Sequence, residues 1–335
     1  MSRYARQTIL PQVGAEGQDR LRAARVLVVG AGALGSPVMQ YLAGAGVGDL
    51  TILDGDHVEE GNLHRQPIYR MADVGRPKAQ AAADAIRAIN PDVRARPLET
   101  WLDPDIAPGL VGAADLVLDC ADTFAASLTL SDACLAAGKP LITASALALQ
   151  GYVAGVCASA PSLRAIFPDL PGSAPTCATA GVLGPVVATM GAVQAQMALS
   201  ALLGLSPSPL GQMLVFDAQR WRMADFRFDD APEPAASFPF IAASAIRAGD
   251  LVIDLRTEAP APFRSDALHL PTEALGDLNV ASGVARVVLA CRTGLRAHNG
   301  AGLLRTRWPG QIALLSVPDG PNSFDTSPLS HRSIR

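Results

Sequence analysis

Short apolar runs, punctuated by glycine, proline or acidic residues, set the rhythm of the first half of the chain. Val26–Val29 reads as a buried strand, Leu50–Leu53 as a second, Leu116–Leu118 as a third ending in Asp119, and Leu141–Thr143 as another. The stretches between them carry helical signals. Gly35 to Ala45 follows a glycine loop, and Lys78 to Ala88 is alanine-rich and stopped by Asn90-Pro91. Leu128 to Ala137 has Gly138 at its end and Pro140 beyond. Strand and helix alternate, which predicts an α/β fold with a mainly parallel sheet covered by helices.

The pattern then changes. Gly151–Val156 and Met213–Phe216 read as added strands, predicted antiparallel. A proline-rich loop (Pro161 to Pro175) and a long buried helix, Val186 to Leu203, lie between them. Residues 229–239, acidic and proline-bearing, read as a linker. Beyond it Leu251–Ile253 is a strand ending in Asp254, Val287–Ala290 runs straight into Cys291, and Gly300 to Leu304 suggests part of a helix. The expected organisation is a nucleotide-binding domain over 1–228, the linker, a reduced α/β domain over 240–320 and a flexible tail over 321–335.

Composition narrows this picture. A chain of 335 residues exceeds one ordinary core. Charged residues make up 17%, the net charge is -4, and no run of Lys and Arg suggests a nucleic-acid surface. The longest apolar segment, Gly181 to Leu203, is broken by Gly, Gln, Thr and Ser, so no membrane span is expected. The first residues lack a signal-peptide core, and the expected location is the cytoplasm. The five cysteines (Cys120, Cys134, Cys157, Cys177, Cys291) are odd in number and form no C-x-x-C pair, which argues against a disulfide framework and a locally built zinc site.

Gly30, Gly32 and Gly35 form G-x-G-x-x-G directly after the first strand, and Asp54 ends the second. Gly30 permits the tight turn, Gly32 lets backbone approach a phosphate, and Gly35 lets helix and strand pack closely. Asp54 is placed to accept a ribose hydroxyl. That much fits any nucleotide. Downstream, Arg65 and Lys78 supply cations suited to a triphosphate under attack, with Asn62 and Gln66 as neutral partners of similar reach. Asp122, three residues after Asp119, is placed to hold Mg²⁺ through a carboxylate at the mouth of the sheet. Asp119 reads as structural, and Asp56 as sharing the metal or orienting Arg65.

Seven separated strings occur in order: Arg3-Tyr4-Ala5-Arg6-Gln7, the glycine loop, Leu53-Asp54-Gly55-Asp56, Asn62-Leu63-His64-Arg65-Gln66, Gly75-Arg76-Pro77-Lys78, Asp119-Cys120-Ala121-Asp122 and Thr176-Cys177. From about Tyr4 to Phe228 the chain therefore resembles the MoeB/ThiF/HesA adenylyltransferases, relatives of ubiquitin-activating E1 enzymes. The resemblance implies a Rossmann-like E1 fold and the use of ATP and Mg²⁺. It implies attachment of AMP to the C-terminal Gly-Gly carboxylate of a ubiquitin-like sulfur carrier of molybdopterin or thiamine biosynthesis, leading to a thiocarboxylate. It places Gly30, Gly32, Ala33, Gly35, Asp54, Asp56, Gly61, Asn62, Leu63, His64, Arg65, Gln66, Lys78, Asp122 and Thr123 around the nucleotide. It makes Arg6 a residue that reaches into a partner subunit, which implies a homodimer. Cys177 matches the family's mobile-loop cysteine. Many members carry two C-x-x-C pairs around zinc; here Ser162-Leu163-Arg164-Ala165 occupies the first pair's place, and no zinc is expected. Thr123 stands where Asn is common.

Cys291-Arg292-Thr293-Gly294-Leu295-Arg296 follows a strand and precedes a helix. A loop of this shape turns N–H groups toward one thiol, and Arg292 and Arg296 are expected to lower its pKa. C-x-x-G-x-R resembles the active loop of rhodanese sulfurtransferases, which implies a persulfide on Cys291 and a cysteine desulfurase as sulfur source. Asp254-Leu255-Arg256 resembles that fold's first strand end, while Leu268-His269-Leu270-Pro271 is a poor remnant of its next motif. Two readings compete: an NAD-dependent oxidoreductase, which the glycine loop alone permits, and a non-catalytic platform that binds partners. No His or Tyr–Lys arrangement suits hydride chemistry, and the retained Arg65, Lys78 and Asp122 argue against decay.

Overall fold

The computed structural model describes residues 3–172 and 180–318, so Cys177 and the tail over 321–335 lie outside the described residues. The chain divides into two compact units, 1–168 with 175–235, and 169–174 with 236–335. The change of unit at residue 235 falls inside the acidic, proline-bearing stretch 229–239.

The first unit is built on eight strands: β1 (Arg25–Val29), β2 (Asp49–Leu53), β3 (Arg94–Leu98), β4 (Leu116–Asp119), β5 (Leu141–Leu147), β6 (Gln150–Val156), β7 (Gln212–Asp217) and β8 (Arg222–Arg227). Their order is β3-β2-β1-β4-β5-β6-β7-β8. The pairs from β3 to β5 are parallel and those from β5 to β8 antiparallel. The strand order reverses between β1 and β4, and in a doubly wound sheet the ligand crevice opens at such a point, beyond the carboxyl ends of the strands.

Alternation along β1 explains the layers. Val26 and Val28 join one buried cluster, Leu27 and Val29 the other. The first face is covered by helices Gly35–Ala45, Lys78–Ile89 and Gly184–Leu203, the second by Ala107–Ala113 and Phe124–Ala137. Each buried Val or Leu contributes roughly 2 kcal/mol, more than the ~1 kcal/mol span of strand preference, so burial pattern rather than propensity sets these strands. Gly184–Leu203 is long and apolar enough to cross a membrane by length and composition, yet here it is a core helix. Gly191 lets it cross Gly35–Ala45 closely, because a Cβ there would meet Leu34 O at 2.6 Å. Gln194, fully buried, donates from Nε2 to the carbonyls of Asp119 (2.7 Å) and Ile142 (2.9 Å), tying this helix to the ends of β4 and β5.

Two boundaries differ from expectation by four residues. The helix expected from Leu128 starts at Phe124, because Thr123 Oγ1 accepts from Ala126 N (3.3 Å) and caps it. The strand expected over Leu141–Thr143 runs on to Leu147, paired with β6. Where the first cysteine pair of relatives was expected to be replaced, Ser162 donates from its N–H and Oγ to the two oxygens of Glu233, each at 2.6 Å. Arg164 beside it makes a two-pronged bond to Asp132 at 2.6 and 2.8 Å.

The second unit has a four-stranded parallel sheet, in the order β10-β9-β11-β12, from β9 (Asp250–Asp254), β10 (Leu268–His269), β11 (Arg286–Cys291) and β12 (Gln311–Ser316). Helix Leu295–Arg305 packs on one face through Gly300, beside Leu255 and Leu289. The other face buries Val252, Val288, Ala290 and Leu315 with Ile241, Ile246 and Phe263.

Candidate functional site

The glycine loop sits at the carboxyl end of β1, against the end of β4. Gly30 has φ +97°, and a Cβ on it would meet Cys120 O at 2.5 Å. Gly35 lies so close to Gly30 that its Cβ would meet Gly30 O at 2.1 Å. Gly32 is different: nothing but Gln66 Nε2, at 3.8 Å, approaches its Cβ position. The first and third glycines are therefore demanded by the protein's own backbone, whereas the second leaves open space at a helix N-terminus, where an anion is favoured.

Asp54 ends β2 and holds this loop. Its Oδ2 accepts from Ala31 N (2.7 Å) and its Oδ1 from Asp56 N (2.9 Å). Burial raises its pKa, opposed by the Lys78 charge and these two N–H donors. Lys78, 7% exposed, opens its helix and places Nζ 2.5 Å from Asp56 Oδ2. Asp56 was expected to share a metal or orient Arg65; its carboxylate grips Lys78, and it is Gly61 O (3.0 Å) that orients Arg65, which stands 2.8 Å from His64 Nε2. Asn62 is buried and takes part in a capping box with Glu59. Gln66 is also buried, and its Oε1 has no hydrogen-bond partner among the described residues. An amide so placed beside Gly32 has a free polar atom for a ligand, with either end presented by a flip of the amide. Open space at Gly32, the Gln66 Nε2 donor beside it and a buried cation form a set that fits a nucleotide phosphate.

Asp119 and Asp122 stand in different surroundings. Asp119 is fully buried and accepts from Thr143 Oγ1 (2.7 Å) and Ala121 N (3.2 Å). Burial pushes its pKa up to about 6 against these bonds, and the nearby charge of Asp122 adds to the push. Asp122 itself is exposed at the crevice mouth. Thr123 commits its hydroxyl to the helix cap. Arg6 does not belong to this pocket. Its turn, Ala5–Thr8, is tied to the C-terminal end of helix Gly35–Ala45 by Gln7 Nε2 donating to Ala45 O (3.0 Å). The eleven residues of that helix separate it from the glycine loop by about 16 Å.

Tyr69 was missed in the sequence. It is buried, and its hydroxyl donates to Ala31 O (2.7 Å) and Lys78 O (3.2 Å), joining the loop to the start of the lysine helix. Arg76 likewise pins this approach through Asp73 and Asp84. Tyr69 has no sequence signal beyond proximity to Gly75-Arg76-Pro77-Lys78, and Arg76 stands in that string with no role read for it.

In the second unit Cys291 is fully buried, and its sulfur accepts from Gly294 N (3.2 Å) and Ala297 N (3.3 Å). The N–H cradle is therefore present, but the expected fall in pKa is not. Burial raises the thiol pKa, and the donors and Arg296 only partly offset it. Arg296 is turned to Glu258 Oε2 (2.7 Å) and Leu255 O (2.9 Å), which dilutes its charge at the sulfur. Asp254 and Arg256 form a buried pair at 2.9 Å. His269 Nε2 lies 2.8 Å from Arg256 O. A raised pKa leaves the thiol protonated at neutral pH. Cys291 is expected to label slowly with iodoacetamide at pH 7 and faster as pH rises past the ordinary thiol value of about 8.5. Peptide mapping by mass spectrometry reads this directly, and rapid labelling at pH 6 would contradict it. The same raised pKa makes the unit lose stability as pH climbs from that ordinary value toward the folded one. The four described cysteines are all free and buried.

A parallel sheet with its glycine loop, acid and buried lysine around one strand-end crevice defines a nucleotide-binding protein of the doubly wound α/β class. The chain belongs to the ThiF family, whose model matches residues 4–236. It is 42% identical over 226 residues to "Sulfur carrier protein adenylyltransferase" of Thermus thermophilus, covering 65% of this chain and 83% of that protein. It is 44% identical over 225 residues to "Probable adenylyltransferase/sulfurtransferase MoeZ" of Mycobacterium tuberculosis, but that match covers only 57% of MoeZ and 65% of this chain. Among solved structures, E. coli MccB has the same fold, with a TM-score of 0.62 at 21% identity over 70% of this chain and 71% of MccB. The family match ends at residue 236, where the longer segment of the second unit begins.

Proposed function

We propose that this chain uses ATP to adenylylate the C-terminal glycine carboxylate of a ubiquitin-like sulfur-carrier protein, preparing it for thiocarboxylate formation. The observation that carries the reading is the buried ammonium of Lys78, held by Asp56 beside the ribose acid Asp54 and next to an open phosphate loop. The named activities of the Thermus and mycobacterial relatives support it, and a hydride-transfer reading has no comparable support.

The chemistry asks little covalent work of the protein. A carboxylate oxygen of the carrier attacks the α-phosphorus, the bond from that phosphorus to the β-phosphate bridging oxygen breaks, and pyrophosphate leaves with the electron pair. Asp54 orients the ribose, the glycine-loop N–H groups and Asn62, Gln66, Arg65 and Lys78 hold the phosphates, and the cations offset charge that builds on the leaving group. Asp122, an exposed carboxylate at the mouth, suits Mg²⁺, which binds through one or two carboxylates plus substrate phosphates and neutralises charge on them. Arg6, remote from its own pocket, is assigned to the pocket of a second copy, which makes the working form a homodimer. The second unit is assigned sulfur delivery from a persulfide on Cys291, loaded by a cysteine desulfurase, and the protein is placed in the cytoplasm.

The test is ATP–pyrophosphate exchange with molybdopterin-type and thiamine-type carriers. Arg65→Ala is expected to lower exchange by about a hundredfold. Cys291→Ala is expected to leave exchange within twofold and to reduce only thiocarboxylate formation. Equal loss in both variants would refute this division of labour.

A further inference from the structure

We propose that Trp101 is the stacking platform for the nucleotide base. The inference rests on the reading above, that ATP lies with its ribose on Asp54. Gly55 is the next residue, and a Cβ on Gly55 would lie 2.8 Å from each of Trp101 Cδ2, Cε2 and Nε1. Equal distances to three atoms of a fused ring mean that Gly55 faces the plane of the indole rather than its edge. The glycine is thus the space the ring occupies.

Trp101 follows β3, and β3 lies beside β2: Asp54 N donates to Leu98 O at 3.1 Å. The phosphates are drawn to the glycine loop after β1, the ribose to the acid ending β2, so the base is carried outward to the end of β3. That is where the indole stands, 45% exposed. Leu98 and Leu102 around it pack into the core, which fixes the backbone that carries the ring. An isolated exposed aromatic needs no explanation by itself. One laid face-on against the residue after the ribose acid, with surface left to solvent, has the geometry of a π-platform, and aromatic stacking holds a base whatever its edge presents.

The experiment compares ATP with inorganic tripolyphosphate, which has the phosphates without base or ribose, as ligands of the full chain by titration calorimetry. Trp101→Ala is expected to weaken ATP about tenfold. Trp101→Phe should bind ATP within threefold of the unaltered chain, and tripolyphosphate should bind equally to all three. Gly55→Ala, which displaces the ring without deleting it, should weaken ATP and spare tripolyphosphate. With Trp221→Phe and Trp308→Phe in place, Trp101 is the last of the three tryptophans, and its fluorescence should be quenched by ATP and not by tripolyphosphate. ATP affinity unchanged in Trp101→Ala, or the same loss for both ligands, overturns the assignment while the adenylylation reading stands. Failure of the unaltered chain to bind ATP overturns both.

Discussion

Lys78→Ala is expected to lower ATP–pyrophosphate exchange by about a thousandfold with little change in fold. The asymmetry follows from where the two charges sit. The Lys78 side chain is 9% exposed, so its charge acts through a medium that screens poorly, and every phosphate oxygen brought near it is strongly stabilised. Its partner Asp56 is 45% exposed and can be hydrated once the ammonium is gone. The penalty at Asp56 is therefore small; buried Asp54 loses the Lys78 charge but keeps its two N–H donors, and the melting temperature should fall by a few degrees. A second effect works in the same direction. Lys78 lowers the Asp54 pKa against burial, so its removal leaves the ribose acid easier to protonate. Exchange in the variant should then decline earlier on the acid side than in the unaltered chain. Exchange within tenfold of normal at neutral pH would remove Lys78 from the phosphate site.

The second large effect is expected at the glycine loop, where two neighbouring glycines should respond in opposite ways. In Gly35→Ala the new methyl meets Gly30 O at 2.1 Å and Gly30 C at 3.1 Å, both backbone atoms. Gly30 has no room to retreat, being itself closed in by Cys120. Overpacking against backbone should cost about 3 kcal/mol or more, a fall of roughly 6–12 °C in melting temperature for a unit of this size, with loss of ATP binding as the loop deforms. In Gly32→Ala the nearest atom is 3.8 Å away, so the protein should melt as before. The methyl then projects into the space left for a phosphate, and ATP should bind at least tenfold more weakly. Calorimetric melts and ATP titrations on the two variants test this; a stable Gly35→Ala that still binds ATP would show that the close approach is not required.

Much of this was legible along the chain because each feature is written locally. A strand, a glycine turn, a helix and an acid at the next strand end occupy under thirty residues, from Val26 to Asp54, and the fold keeps them in that order. The parts that were not legible depend on partners far away in sequence. β3, Arg94–Leu98, carries a proline and alternating arginines, as an edge strand tolerates, and offers no apolar run to mark it. β8 is exposed along its length at the opposite edge and has no apolar pattern to find. At the site, residue types were readable and their pairings were not. Asp56 holds Lys78 rather than Arg65, Thr123 caps a helix, and Cys291 is surrounded by apolar packing that outweighs the arginines beside it in sequence. Burial decides the last of these, and burial is a property of the folded surroundings.

Ser162 and Glu233 join positions 71 apart through a hydroxyl, a peptide N–H and one carboxylate. A fastening made of those parts draws on nothing outside the polypeptide. Once the chain is folded these bonds need no bound ion, so a chelator is expected to leave them in place.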